Sequence, residues 1–168
     1  MNLYMISLGG KVKGCNIEVH DVQFVAADHI DETIETLKKH WYGQSEKLHM
    51  DSYMQIKGAD GYNVSLTREM TDCNKQLYFV HFGGYRTDTT QELHDIRLYV
   101  GANNMEVKER ALEDYQVADI QNHVDSLVLV EPVILSASGD KYYIELSESK
   151  EIYHCVPDWF GYRRLDRS

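Results

Sequence analysis

Apolar and polar residues alternate along much of this chain with the period of two that a pleated strand imposes, and in two places the period lengthens toward that of a helix. Residues 3–8 are apolar on both alternating faces and stop at Gly9-Gly10, which reads as a strand covered on both sides and then a turn that tolerates positive φ. After a polar loop over 11–17, Val22, Phe24 and Ala26 alternate with Asp21, Gln23 and Val25, a second strand. Ile30, Ile34, Leu37 and Trp41 then recur at helical spacing behind an acidic first turn, so a helix opening at Asp28 or His29 is predicted. A third strand follows over 47–56, with Leu48, Met50, Ser52, Met54 and Ile56 on one face and His49, Asp51, Tyr53 and Gln55 on the other. The turn Gly58-Ala59-Asp60-Gly61 leads into a fourth, carrying Tyr62, Val64 and Leu66.

The same succession returns 74 positions later. Leu3-Tyr4 superposes on Leu77-Tyr78, Gly9-Gly10 on Gly83-Gly84, Glu18-Val19-His20-Asp21 on Glu92-Leu93-His94-Asp95, and His49-Met50-Asp51-Ser52 on His123-Val124-Asp125-Ser126. Asn103 followed by Glu106 has the spacing of a capping box at the head of the second helix, whose apolar stripe would be Met105, Ala111, Leu112 and Tyr115. The second half carries about six extra residues near Pro132 to Ala137, where a longer hairpin or a β-bulge is predicted.

The expected architecture is therefore α+β: an internal duplication of a β-β-α-β-β unit with pseudo-twofold symmetry and one helix packed on the sheet of each unit. The units would span 1–70 and 77–147, joined by a linker over 71–76 too short to be a free tether. Residues 148–168 have no counterpart and are rich in aromatics, among them Tyr153, Trp159, Phe160 and Tyr162; such a tail is expected to cover a sheet edge or a homodimer surface.

Composition narrows the function. With 168 residues, 43% hydrophobic and 26% charged, the chain can bury a core. Its formal charge of −10, from 27 acidic against 17 basic residues, argues against a nucleic-acid partner, which draws affinity from clustered Lys and Arg. No apolar run is long enough for a signal segment or a membrane span, so no membrane partner and a cytoplasmic location are expected. Cys15, Cys73 and Cys155 lie far apart and read as free thiols.

Candidate chemistry lies in the repeated acidic and imidazole residues: Glu18, His20, Asp21, His49 and Asp51, with Glu92, His94, Asp95, His123 and Asp125. Two readings stand side by side. In one, these side chains tie loops down by hydrogen bonding backbone amides. In the other, the His-x-Asp pairs His49/Asp51 and His123/Asp125 hold a divalent metal, with Asp21 and Asp95 added from neighbouring strands, because imidazole and carboxylate suit first-row ions. His81, where the first half has Ser7, reads as a satisfied histidine, and the Gly-Gly pairs lack the spacing of a phosphate loop.

The run Leu-Tyr-Met-Ile-Ser-Leu-Gly-Gly, then Lys-Gly-Cys-Asn-Ile-Glu-Val-His-Asp, Val-Gln-Phe-Val, and His-Met-Asp ahead of Gly-Tyr-Asn-Val resembles the bacterial family known as domain of unknown function 1543. That resemblance implies a small bacterial protein and no activity or site residue. The functional expectation is a cytoplasmic binding or accessory module, self-associating, that works through a polar groove or the interface between its halves; the alternative is a metal-dependent, hydrolase-like enzyme.

Overall fold

The computed structural model describes residues 1–71, 73–116, 120–131, 133–136 and 138–166. Strand accounts for 49% of the chain and helix for 14%, which overturns the α+β class with a helix per unit: the protein is mostly β, built of three antiparallel sheets. The helical period is short-lived. Residues Ile30–Thr33 form a 3-10 turn and α1 only the next seven, Ile34–His40, while α2 runs Asn104–Asp114. Asn103 Oδ1 accepts the Glu106 N–H at 3.0 Å and Glu106 Oε2 accepts that of Ala102 at 2.9 Å, so the first turn of α2 is capped from both directions. Its buried residues are Val107 and Ala111; Met105 and Leu112, expected in the apolar stripe, are exposed.

The strands are β1 (Asn2–Gly10), β2 (Val19–Ala27), β3 (His49–Gln55), β4 (Gly58–Ala59), β5 (Tyr62–Thr67), β6 (Gln76–Tyr85), β7 (Leu93–Gly101), β8 (Gln121–Leu129), β9 (Val133–Leu135), β10 (Lys141–Glu148) and β11 (Trp159–Arg164). One sheet has the order β11-β3-β1-β2, a second β7-β6-β8, and the third β4-β5-β10-β9. Strand β5 pairs with β10, so the fourth strands of the two halves leave their own sheets and close a shared one. The bulge expected at Pro132 lies outside the described residues.

The apolar face of each sheet meets the others in one core. Leu3, Met5 and Met54 come from the first sheet, Leu77, Phe79 and Leu98 from the second, and Val64, Ile134 and Ile144 from the shared one. Phe24 and Phe79 meet edge to face across it at 5.7 Å. The far face of the first sheet packs Tyr4, Ile6 and Leu8 against Ile34, Leu37 and Trp41; that of the second packs Tyr78, Val80 and Phe82 against Val107 and Ala111. Just after β11, Leu165 is fully buried in the first of these clusters, and within the strand Arg163 bonds Asp31 at 2.6 Å.

Two local features differ from the sequence pattern, and both shape the polar end of the sheets. Gly9-Gly10 and Gly83-Gly84 are not turns. They lie inside β1 and β6, and none of the four has positive φ. The strands β3 and β8, paired with the central strands β1 and β6, each carry a bulge: Ser7 faces Ser52 while Leu8 faces Met50, and His81 faces Ser126 while Phe82 faces Val124. The unpaired extra residues are Asp51 and Asp125. A bulge breaks the alternation of side chains, so Met54 lies in the central core while Met50 lies on the helix side, contrary to the single face expected for both.

Candidate functional site

The bulges and the glycines together make two clusters. In the first sheet Gly9 of the central strand is flanked by His20 on one side and His49 on the other; in the second, Gly83 is flanked by His94 and His123. Directly paired residues stand about 4.5–5.5 Å apart, so two imidazoles face each other over a position with no side chain. A Cβ at Gly9 would sit 2.5 Å from His49 Nε2 and 3.0 Å from Asp51 Oδ2. One at Gly83 would sit 2.5 Å from Asp125 Oδ2 and 2.6 Å from both Glu92 Oε1 and His123 Nε2. Glycine is required here for space, not for backbone freedom.

Carboxylates close each ring. Glu18 places Oε1 3.6 Å from His20 Nε2 and Oε2 3.7 Å from His49 Nε2; Asp51 places Oδ1 3.2 Å from His49 and Oδ2 3.7 Å from His20. The second cluster repeats the division more tightly: Glu92 Oε1 is 3.0 Å from His123 and Oε2 3.3 Å from His94, while Asp125 Oδ1 is 2.7 Å from His123 and Oδ2 3.9 Å from His94. His81, which reads from the sequence as a satisfied histidine, joins it with Nδ1 3.4 Å from Asp125 Oδ2 and its ring 4.7 Å from that of His94. Asp21 and Asp95 do not take the ligand positions predicted for them. Asp95 accepts the N–H of Ile96 and faces Arg97, and Glu18 and Glu92 stand in the rings instead.

Protonation follows the surroundings. His49 is 1% exposed, and its Nδ1 lies 2.8 Å from the Lys47 carbonyl, which can only accept; the Nδ1–H is thereby committed and Nε2 is left facing the carboxylates. Burial raises the Asp51 carboxyl above its ordinary value, against the pull of His49 and His20. A hydrogen bond from Tyr85 holds the Glu92 carboxyl below the usual range, aided by His94 and His123. Burial and then the charge of His94 lower His81. Aromatic rings cover both clusters, Tyr162 of β11 over His49 at 4.1 Å and Tyr85 over His123 at 5.5 Å. Neither tyrosine is a candidate on sequence grounds, and Tyr162 has no signal other than the aromatic density of the tail.

Both clusters border one cleft of about 760 Å³ between the first two sheets. His20 and Asp21 form one wall, His81, His94 and Asp95 the other, and Phe24 and Phe79 lie between them. The parity of a regular strand sets His20 and Asp21 on opposite sides, yet both reach the cleft at this end of β2. A smaller cavity of about 230 Å³ beside Cys73, Leu77 and Ile144 gathers no comparable set of imidazoles and carboxylates.

Metal-donor geometry is met in the second cluster. The donor atoms of Glu92, His123 and Asp125 all lie within 4.8 Å of one another, as do those of His81, His94 and Asp125. Two ligands roughly 2.1 Å from one tetrahedral ion stand about 3.4 Å apart, so these groups can close on an ion with small side-chain movements. Glu92 Oε1 is buried and has no hydrogen-bond partner despite lying 3.0 Å from His123 Nε2. A cation would satisfy it.

Fold and site together define a mostly β protein with paired histidine–carboxylate clusters on an internal cleft. The family model described as Domain of Unknown Function (DUF1543) matches residues 15–66, the stretch from the loop after β1 to β5. The crystal structure of a protein Il1583 from Idiomarina loihiensis is similar over 98% of this chain and 97% of that one, with 30% identity and a TM-score of 0.76. The match places residues 15–66 in the DUF1543 family. No curated protein matches it. No helix among the described residues is long and apolar enough to cross a membrane.

Proposed function

We propose that this protein is a metal-dependent binding module: a first-row divalent ion sits between Glu92, His123 and Asp125, next to His81 and His94 on the wall of a cleft that holds a small ligand. The observation that carries this reading is the buried Glu92 Oε1, which lacks a hydrogen-bond partner and faces the space that the missing Cβ of Gly83 leaves. Side chains serving only to tie loops would each point at a backbone amide. Here the donors point at one another, and His81 and His94 of the same cluster line a cavity of ligand size. A cation lowers the cost of holding two carboxylates together, and imidazole with carboxylate suits zinc, manganese or iron in the divalent state.

The second reading is hydrolysis: an ion held in this cluster beside His81 and His94 would supply an activated water near neutral pH, with no need of a Ser or Cys nucleophile. Elemental mass spectrometry on the protein after exposure to zinc and removal of excess tests the binding reading. At least one tightly held equivalent is expected, with loss of zinc at the second cluster in His123→Ala and an unchanged circular dichroism spectrum. Absence of bound zinc, together with a variant that only loses thermal stability, would return these residues to a structural role.

A further inference from the structure

The second cluster contains more donors than one ion uses, and they divide into two sets. Glu92 turns Oε1 toward His123 and Oε2 toward His94; Asp125 turns Oδ1 toward His123 and Oδ2 toward His94 and His81. Each carboxylate thus offers one oxygen to either side. On one side stands His123, on the other His81 and His94, with rings 4.7 Å apart. The two groups of three donors share Asp125 and no other residue.

We infer that the second cluster is a dinuclear centre, in which Asp125 and Glu92 bridge one divalent ion bound by His123 and a second bound by His81 and His94. This rests on the proposed metal binding and extends it. Bridging carboxylates hold paired ions about 3.5–4 Å apart in two-metal sites. The arrangement places the second ion on the wall of the cleft, because His81 and His94 line the cleft and His123 does not. Two dications against two bridging carboxylates leave net positive charge there, which suits an anionic ligand or a hydroxide.

The first cluster supplies the contrast. Glu18 and Asp51 divide their oxygens between His20 and His49 in the same way, but Ser7 stands where His81 would be, and the distances are 3.2–3.7 Å throughout. Among the described residues, both groups of three converging donors lie in the second cluster. His81 is therefore the residue that makes two ions possible. Its serine counterpart shows that the position accepts a small polar side chain without loss of the strand, which makes His81→Ser a mild substitution.

The test uses the full chain carrying Glu18→Gln and His20→Ala, which removes two exposed donors of the first cluster so that the metal counted belongs to the second. After zinc loading and removal of excess, elemental analysis should give two equivalents, falling to one when His81→Ser is added. Manganese loading followed by electron paramagnetic resonance should show an exchange-coupled pair in the first protein and an isolated ion in the second. One equivalent in both, with no coupling, would overturn the dinuclear centre while leaving the single-ion reading intact. No zinc in either would overturn both. Thermal melting of the two proteins excludes unfolding as the cause of any loss.

Discussion

Gly83 is the residue on which the second cluster depends without contributing a donor. Any side chain there places its Cβ 2.5 Å from Asp125 Oδ2 and 2.6 Å from His123 Nε2, inside the space a ligand would fill. Gly83→Ala is expected to weaken zinc binding by about 10–100-fold, the range for residues that set ligands in place rather than coordinate. Backbone strain will not be the reason, because Gly83 has no positive φ. Isothermal titration of zinc into the variant checks this, and wild-type affinity would show that the carboxylates can move aside at no cost. The equivalent change Gly9→Ala meets His49 at 2.5 Å, and His49 is held by its bond to Lys47, so that ring has less freedom to give way.

At the scale of elements, the bulges in β3 and β8 decide the site. Without them a strand would carry His49 and Asp51 on one face and Met50 on the other with no break, and Met54 would share the face of Met50. With them, Asp51 and Asp125 become the extra residues, and the helix-side clusters keep Met50 and Val124. Strand β11 closes the edge of β3 and lays Tyr162 on His49, held by the ion pair between Arg163 and Asp31. Hydrogen bonding from Arg163 lowers the Asp31 carboxyl below its ordinary value of 3.8. The unfolded chain then binds more protons than the folded one below that value, so the contribution is complete above pH 3.8 and is lost as the pH falls beneath it. Asp31 is more than half exposed, and solvent screening limits the effect to about 0.2–1 kcal/mol. Asp31→Asn should lower stability by that amount at pH 7, with the difference shrinking as the pH falls below 3.8, measured by urea unfolding.

The whole molecule is held by interactions that cross between its halves. The central core draws on all three sheets, β5 pairs with β10, and Asp60 Oδ2 accepts both Arg110 at 2.6 Å and the Val100 N–H at 2.9 Å. A fragment of residues 1–70 would leave Leu3, Met5, Phe24 and Val64 facing water. Each such side chain contributes about 1.5–3 kcal/mol when fully buried, comparable with the net stability of a small domain. Calorimetry of the full metal-free chain should therefore give a single cooperative transition, and the fragment should show none. Two resolved transitions would mean that the halves fold independently. The cleft lies between the first two sheets, so its shape depends on the same contacts.

The sequence by itself determined the strands, through their period-two alternation, and the residues of both clusters, through the matches at an offset of 74 positions. Glu18, His20, His49 and Asp51 and their counterparts Glu92, His94, His123 and Asp125 were all legible as a polar set. Tertiary structure decided the rest. Periodicity reports local burial and not which strand pairs with which, so the shared sheet of β4, β5, β9 and β10 and the mostly β class could not be read from it. A bulge leaves no mark on composition, and it leaves Asp51 unpaired and puts Met50 and Met54 on opposite faces. His81 looked like an isolated histidine because its partners are 13 and 44 residues away, at His94 and Asp125. Glycine pairs in a strand look like a turn until the space above Gly9 and Gly83 is seen to be occupied by imidazole and carboxylate, and that above Gly10 and Gly84 by Trp41 and Ile120.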